Sequence, residues 1–181
     1  MIDSKQAAEA LTEIDAIVRR VRQSKIYDLA SLMLIMWGAL TFAGYLVTWL
    51  SPRNGIYAWV TVYIVGVAGS IAISASNRLR TGIRTFDYRM LTAFLLFVAF
   101  GIFCSWLGHF GSRQLGAFWP IYFMLVYTIA GLWIGRAFVA IGLGIIALTL
   151  VGYFLIGEFD LYMAFVNGGG LILGGLWMRR S

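Results

Sequence analysis

The chain has 181 residues, of which 61% are hydrophobic and only 12% charged, with a mean hydropathy of +0.84. A soluble globular domain is roughly half apolar and about a quarter charged, so this composition excludes that class and belongs to membrane proteins. The net charge of +6 is no sign of a nucleic-acid partner, because the basic residues hug the edges of apolar runs and form no DNA- or RNA-binding motif.

Residues 4–24 open the chain as an amphipathic helix. Ala7, Leu11, Ile14, Val18 and Val21 recur at spacings of four and three and form one apolar stripe. Ser4 or Asp3 suits its N-cap, and Asp15 stands four before Arg19, the favourable pair spacing. Such a helix serves either as a short coiled-coil or partner-docking segment, or as a segment lying on headgroups or the ends of its own bundle. No Gly or Pro separates it from the first apolar run, which leaves a continuous helix open. Residues 1–26 are therefore expected to be a cytoplasmic helix, and 27–181 a transmembrane domain. No short apolar core with a small-residue cleavage site is present at this end, so no cleavable signal peptide is expected.

Six charge-free intervals come next: Leu29 to Pro52, Asn54 to Asn77, Met90 to Ser112, Gln114 to Gly135, Ala137 to Gly157 and Leu161 to Met178. Each approaches the roughly 20 residues that span a hydrocarbon core of about 30 Å as a helix. They are too long and too uniformly apolar for barrel strands. The reading is all-α: six transmembrane helices as three antiparallel hairpins. Arg136 is the only punctuation between the fourth and fifth, and one unbroken helix there would be about twice the membrane thickness, so a tight turn is expected at Gly135-Arg136. "ALTFAGY" at 39–45 and "ALTLVGY" at 147–153 agree at five of seven positions. That pattern suggests hairpins repeated in parallel, and with them a pseudo-threefold bundle.

With the N-terminus in the cytoplasm, twelve of the fourteen Lys and Arg lie inside, and only Arg53 and Arg113 outside. The positive-inside bias then places both termini in the cytoplasm. Arg19, Arg20 and Arg22, with Arg78, Arg80, Arg84 and Arg89, form a basic girdle suited to anionic lipid headgroups or an acidic partner segment, besides its topogenic role.

The densest small-residue stretch is "AFVNGGGLILGGLWMRRS" at the C-terminal end. On a helix, Asn167, Gly170 and Gly174 share one face, and Ala164, Gly168 and Gly175 the neighbouring one. The fifth span offers a matching smooth surface in Gly142, Thr149 and Gly152. These residues are the candidate site, read first as close helix packing. The competing reading is an unwound segment at Asn167-Gly170 whose backbone lines a ligand, and a third is a homo-oligomer contact. The candidates for a polar path inside the spans are neutral, namely Thr41, Thr61, Ser70, Ser105, Thr128, Thr149 and Asn167, with Tyr45, Tyr63, Tyr127 and Tyr153, and hydroxyl-to-carbonyl bonds within each helix account for most of them.

Catalysis finds little support. His109 and Cys104 lie five apart and so point to different helix faces. One histidine and one cysteine build neither a paired haem site nor a metal cluster, and no nucleophile-elbow, zinc-helix or P-loop motif occurs. No cofactor is expected.

The order of "ALTEIDAIVRRVRQS", "MWGALTFAGYL", "FWPIYFMLVYTIAGLWIG" and "GLILGGLWMRR" resembles small, mostly uncharacterised bacterial six-helix inner-membrane proteins along nearly the whole chain. That resemblance carries no catalytic motif; it implies the bacterial cytoplasmic membrane and no activity. "WGALTFAGYLVTWLSP" is partly similar to the hairpin repeats of the acid-resistance membrane protein family called HdeD-like. The expected function is a non-enzymatic accessory, regulatory or assembly factor, with membrane lipids, a protein at the cytoplasmic face and a second copy as candidate partners. The alternative is a small oligomeric channel or transporter for a neutral or lipid-like solute, using the Asn167 region.

Overall fold

The computed structural model describes residues 4–81 and 88–180; of residues 4–11, 15–25, 80, 81, 88 and 90 it describes the backbone only. Every described element is helical. Helix α1 runs from Ser4 to Leu50, a 3-10 turn covers Pro52–Asn54, and α2 (Gly55–Thr81), α3 (Tyr88–Leu107), α4 (Ser112–Ile134) and α5 (Arg136–Leu155) follow. The last span is composite, with α6 (Phe159–Met163), a π-helical stretch (Ala164–Gly169) and α7 (Gly170–Met178).

Helix α1 passes through position 26 without a break, so the polar N-terminal segment and the first span are one helix of 47 residues. At 1.5 Å per residue it is about 70 Å long, more than twice a hydrocarbon core. Among the described residues, five segments are long and apolar enough to cross a membrane: Ile26–Leu50, Pro52–Leu79, Ser112–Ile134, Arg136–Leu155 and Phe159–Met178. The apolar part of α3, Leu91–Leu107, is shorter, so the expected sixth span is not among them. The expected turn is present: α4 ends at Ile134 and α5 starts at Arg136. Gly135 makes it with φ 155° and ψ 158°, a conformation essentially reserved for glycine.

Packing is uneven. The centre consists of α1, the last span, α5 and α4, with α5 running closely along α4 and α1 along the last span. Helix α2 packs on α1, where Gly66 and Gly69 make room for the Trp37 ring and the Met36 sulfur and the Trp37 indole donates to Ser70 Oγ at 3.1 Å. Among the described residues, helix α3 packs on the flank of α4, through rings: Phe97 stacks on Tyr122 at 4.0 Å, and the Tyr122 hydroxyl donates to the Phe97 carbonyl at 3.0 Å. The two flanking helices expose long rows of large apolar side chains, as lipid-facing surfaces do.

Two apolar clusters hold the centre. One, towards the end that carries Arg179, joins Leu34, Met124, Phe138, Ile141, Ile145, Leu171 and Met178. The other, at the distal end, joins Tyr45, Ala117, Phe159, Met163 and Ala164. Tyr45 is its pivot. Proline has no N–H, so Pro120 inside α4 leaves the carbonyl of Gly116, four residues earlier, without its helical donor. The Tyr45 hydroxyl, on a side chain only 2% exposed, donates to that carbonyl at 2.6 Å. Its ring meets Trp59 of α2 edge-on at 4.8 Å.

Tyr45→Phe is expected to strand the Gly116 carbonyl and to cost about 1–3 kcal/mol in thermal unfolding of the detergent-extracted protein. Pro120→Ala restores an N–H four residues after Gly116, so in that background Tyr45→Phe should cost much less. Additive losses in the double variant would refute this account of the tyrosine.

Candidate functional site

The candidate residues of the last span lie near the middle of Phe159–Met178, and there the helix widens. It does not unwind. Through the π-helical stretch the Gly170 N–H comes within bonding reach of the carbonyls of Phe165, Val166 and Asn167 together. Single π turns inside α-helices recur at functional sites and mark an interruption in the regular ladder. Asn167 sits in this stretch with 5% of its surface exposed.

The glycines divide between two neighbours. A Cβ built on Gly168 would lie 2.7 Å from Cα and 2.8 Å from N of Phe42, so the α1 backbone itself fills that space. Gly38 returns the contact, its own Cβ position being 2.8 Å from the Gly168 carbonyl oxygen. Gly175 likewise faces the Ser31 carbonyl oxygen at 2.8 Å. Gly174 and Gly170 face α5 instead, against Ile141 and Ile145, where side-chain atoms and not backbone are the neighbours. Gly169 meets nothing within 4 Å.

The expected smooth surface on the fifth span is not one surface. Gly142 turns towards α4, against Thr128 and the Met124 carbonyl, and Gly152 lies under the Tyr162 ring. Residues ten apart on a helix are about 80° out of register, one-quarter turn, and α5 has neighbours on both sides. Thr149 is fully buried and donates to its own Ile145 carbonyl at 2.7 Å. Since Gly174 pairs with Ile141 and Gly170 with Ile145, the antiparallel register sets Thr149 one turn further on, at the level of Asn167. Other hydroxyls are also returned to their own helices: Thr41 to Gly38, Thr61 to Tyr57, Ser105 to Gly101 and Thr128 to Met124. Ser31 is the exception, with a buried Oγ that has no hydrogen-bond partner. The resulting mid-bundle layer offers neutral hydrogen-bonding groups. Among the described residues, no three His, Cys, Asp or Glu are placed to hold a metal ion.

Of the basic girdle, Arg78 and Arg89 are exposed. Arg19, Arg20, Arg22 and Arg80 are described by backbone only, all on helices, and Arg84 lies outside the described residues.

A second constellation, at the distal end, escapes the sequence reading. Arg113, in the first turn of α4, reaches across to the end of α5. Its guanidinium donates to the carbonyls of Ile156 at 2.6 Å, Tyr153 at 2.8 Å, and Gly152 and Gly157 at 3.3 Å. The last turn of any helix carries carbonyls without intrahelical donors and the negative end of the macrodipole, and a planar cation with five N–H groups suits both. The same group lies 5.0 Å from the Phe159 ring centroid and 5.7 Å from that of Tyr153. Beside it, the Trp49 indole donates to the Glu158 carboxylate at 2.8 Å and ties α1 to the same turn. One signal points here: Arg113 is, with Arg53, one of only two basic residues that the charge bias leaves on the outer side.

Between α3 and α4 near this end lies an open groove of ≈ 340 Å³, lined by Ile102, Ser105, Trp106, Phe110, Leu115 and Trp119. No protein-family model, curated protein or solved structure matches the chain.

Gly168→Leu is expected to push α1 off the last span and to abolish the folded, monodisperse protein in detergent, whereas Gly169→Leu should leave it intact. Equal tolerance at both positions, read by size-exclusion profile and thermal midpoint, would contradict the backbone contact. Arg113→Gln should lower the thermal midpoint and speed hydrogen exchange at the start of the last span, because one neutral amide cannot serve four carbonyls. Unchanged exchange there would show that the α5 terminus does not depend on the guanidinium.

Proposed function

We propose that this chain is a non-enzymatic integral membrane protein of a bacterial cytoplasmic membrane, acting as an accessory, regulatory or assembly factor. The observation that supports this reading most is the continuity of α1. A segment that reads as extramembranous is the direct extension of a helix that packs against both α2 and the last span. A partner gripping residues 4–25 therefore holds a rigid lever whose other end packs against the last span. In this reading six helices cross as three hairpins, and both termini face the cytoplasm. Arg19, Arg20, Arg22, Arg78, Arg80, Arg84 and Arg89 meet anionic headgroups or an acidic segment of the partner.

A second reading rests on a different observation, the π-helical stretch that places Asn167 at mid-span beside the level of Thr149. It makes the chain a small oligomeric channel or transporter for a neutral or lipid-like solute. Neutral donors and acceptors at that depth suit an uncharged solute and offer no proton relay.

Removal of residues 2–24 separates the two. Under the accessory reading, the shortened protein still inserts in the membrane but loses every co-purifying protein. Full retention of those proteins, or loss of insertion itself, would count against it.

A further inference from the structure

From the exposed face of α1 we infer that the protein pairs with a second copy of itself along that helix, through one apolar stripe that runs from the N-terminal extension to the far end of the first span. Ile14, Leu32 and Leu50 stand 18 residues apart, which is five turns at 3.6 residues per turn, and so lie on one face. All three are exposed, at 56%, 42% and 65%. Ala39, Ala43 and Val47 are exposed on the same side. The bundle-facing residues Ser31, Leu34, Gly38 and Tyr45 recur on the other side of the helix. By the same spacing, positions 7, 11, 18 and 21 extend the stripe beyond the apolar segment Ile26–Leu50.

The continuity of this stripe selects its occupant. Lipid covers an apolar face inside the bilayer, but not the part that leaves it. A partner that covers both parts must be a helix crossing the membrane boundary at the same height, with its own apolar face changing solvent there. The α1 of a second copy has that property by construction, and insertion in the same membrane makes the two helices parallel. Ala39 and Ala43, four apart near the middle of the span, let the two backbones approach closely. A strip about 10 Å wide along about 70 Å covers on the order of 700 Å² per copy, about 1,400 Å² for the pair, within the range of stable specific interfaces. Arg19 and Arg20 fall off the stripe and stay available to headgroups. This pairing does not rest on the accessory reading; a dimer serves either function.

Disulfide trapping in native membranes tests it, in the full-length Cys104→Ser protein carrying one new cysteine at a time. Ile14→Cys and Ala43→Cys are expected to give dimers of twice the chain mass on oxidation. The yield should exceed by about tenfold that of the controls Ile64→Cys on α2 and Leu96→Cys on α3, whose native side chains are also exposed. Equal yields at all four positions, no dimer, or a cross-link to a protein of another mass would overturn the inference. Ala39→Leu combined with Ala43→Leu lies on a face that the fold does not use, so helix content should be kept. The monomer–dimer midpoint, read by energy transfer between labelled copies in liposomes, should rise about tenfold. An unmoved midpoint would overturn the proposal even if trapping succeeds.

Discussion

The bond from Tyr45 to the Gly116 carbonyl concentrates the constraint under which the whole bundle is built. In lipid no water completes a broken backbone ladder, so an acceptor released by proline has to be met by the protein itself. Pro120 creates that acceptor inside α4, and α1 meets it. One phenol therefore sets the depth of α1 against α4, and its ring sets α2 through Trp59. Phe159 packs on the same ring cluster, which brings the start of the last span to the same level.

The contact between α1 and the last span is arranged by absence of side chains. Gly38, Gly168 and Gly175 allow α1 and the last span to approach to backbone contact, and at that depth van der Waals contact replaces the hydrophobic drive that lipid removes. The π-helical stretch includes Gly168, which makes one of these contacts. It also places Asn167, the one amide side chain of the last span, in the interior. From spacing alone, packing and ligand binding are alternative readings of these glycines, yet the geometry has features of both: a helix that is closely packed and locally widened.

Arg113 answers the same constraint at a helix end. Four carbonyls around the end of α5 share one guanidinium, so a cation reinforces the short turn into the last span beside that turn's own backbone bonds. Glu158 in that turn is tied in turn to Trp49 of α1. The distal end is thus fastened by side-chain hydrogen bonds between helices, whereas at the opposite end Leu34, Phe138, Leu171 and Met178 join in an apolar cluster.

Charge-free runs near 20 residues, the glycine before Arg136 and the small residues around Asn167 were legible because each obeys local physics: membrane thickness, the φ that only glycine reaches, and helical spacing. The unbroken passage from the N-terminal segment into the first span was legible only as an option, since the absence of Gly and Pro permits continuity without requiring it. Which neighbour each glycine meets was not legible. Gly142 and Gly152 share a helix with Thr149 but face different partners, and that depends on how α5 is rotated between α4 and the last span. The partners of Tyr45 and Arg113 are 71 and about 40 residues away, at separations where no local pattern relates donor to acceptor. The sequence by itself determined that the chain is made of membrane helices and where most of them begin and end, because lipid judges each segment alone. Only the tertiary structure decided which faces meet, because that is settled by the backbone acceptors and empty Cβ positions that one helix presents to another.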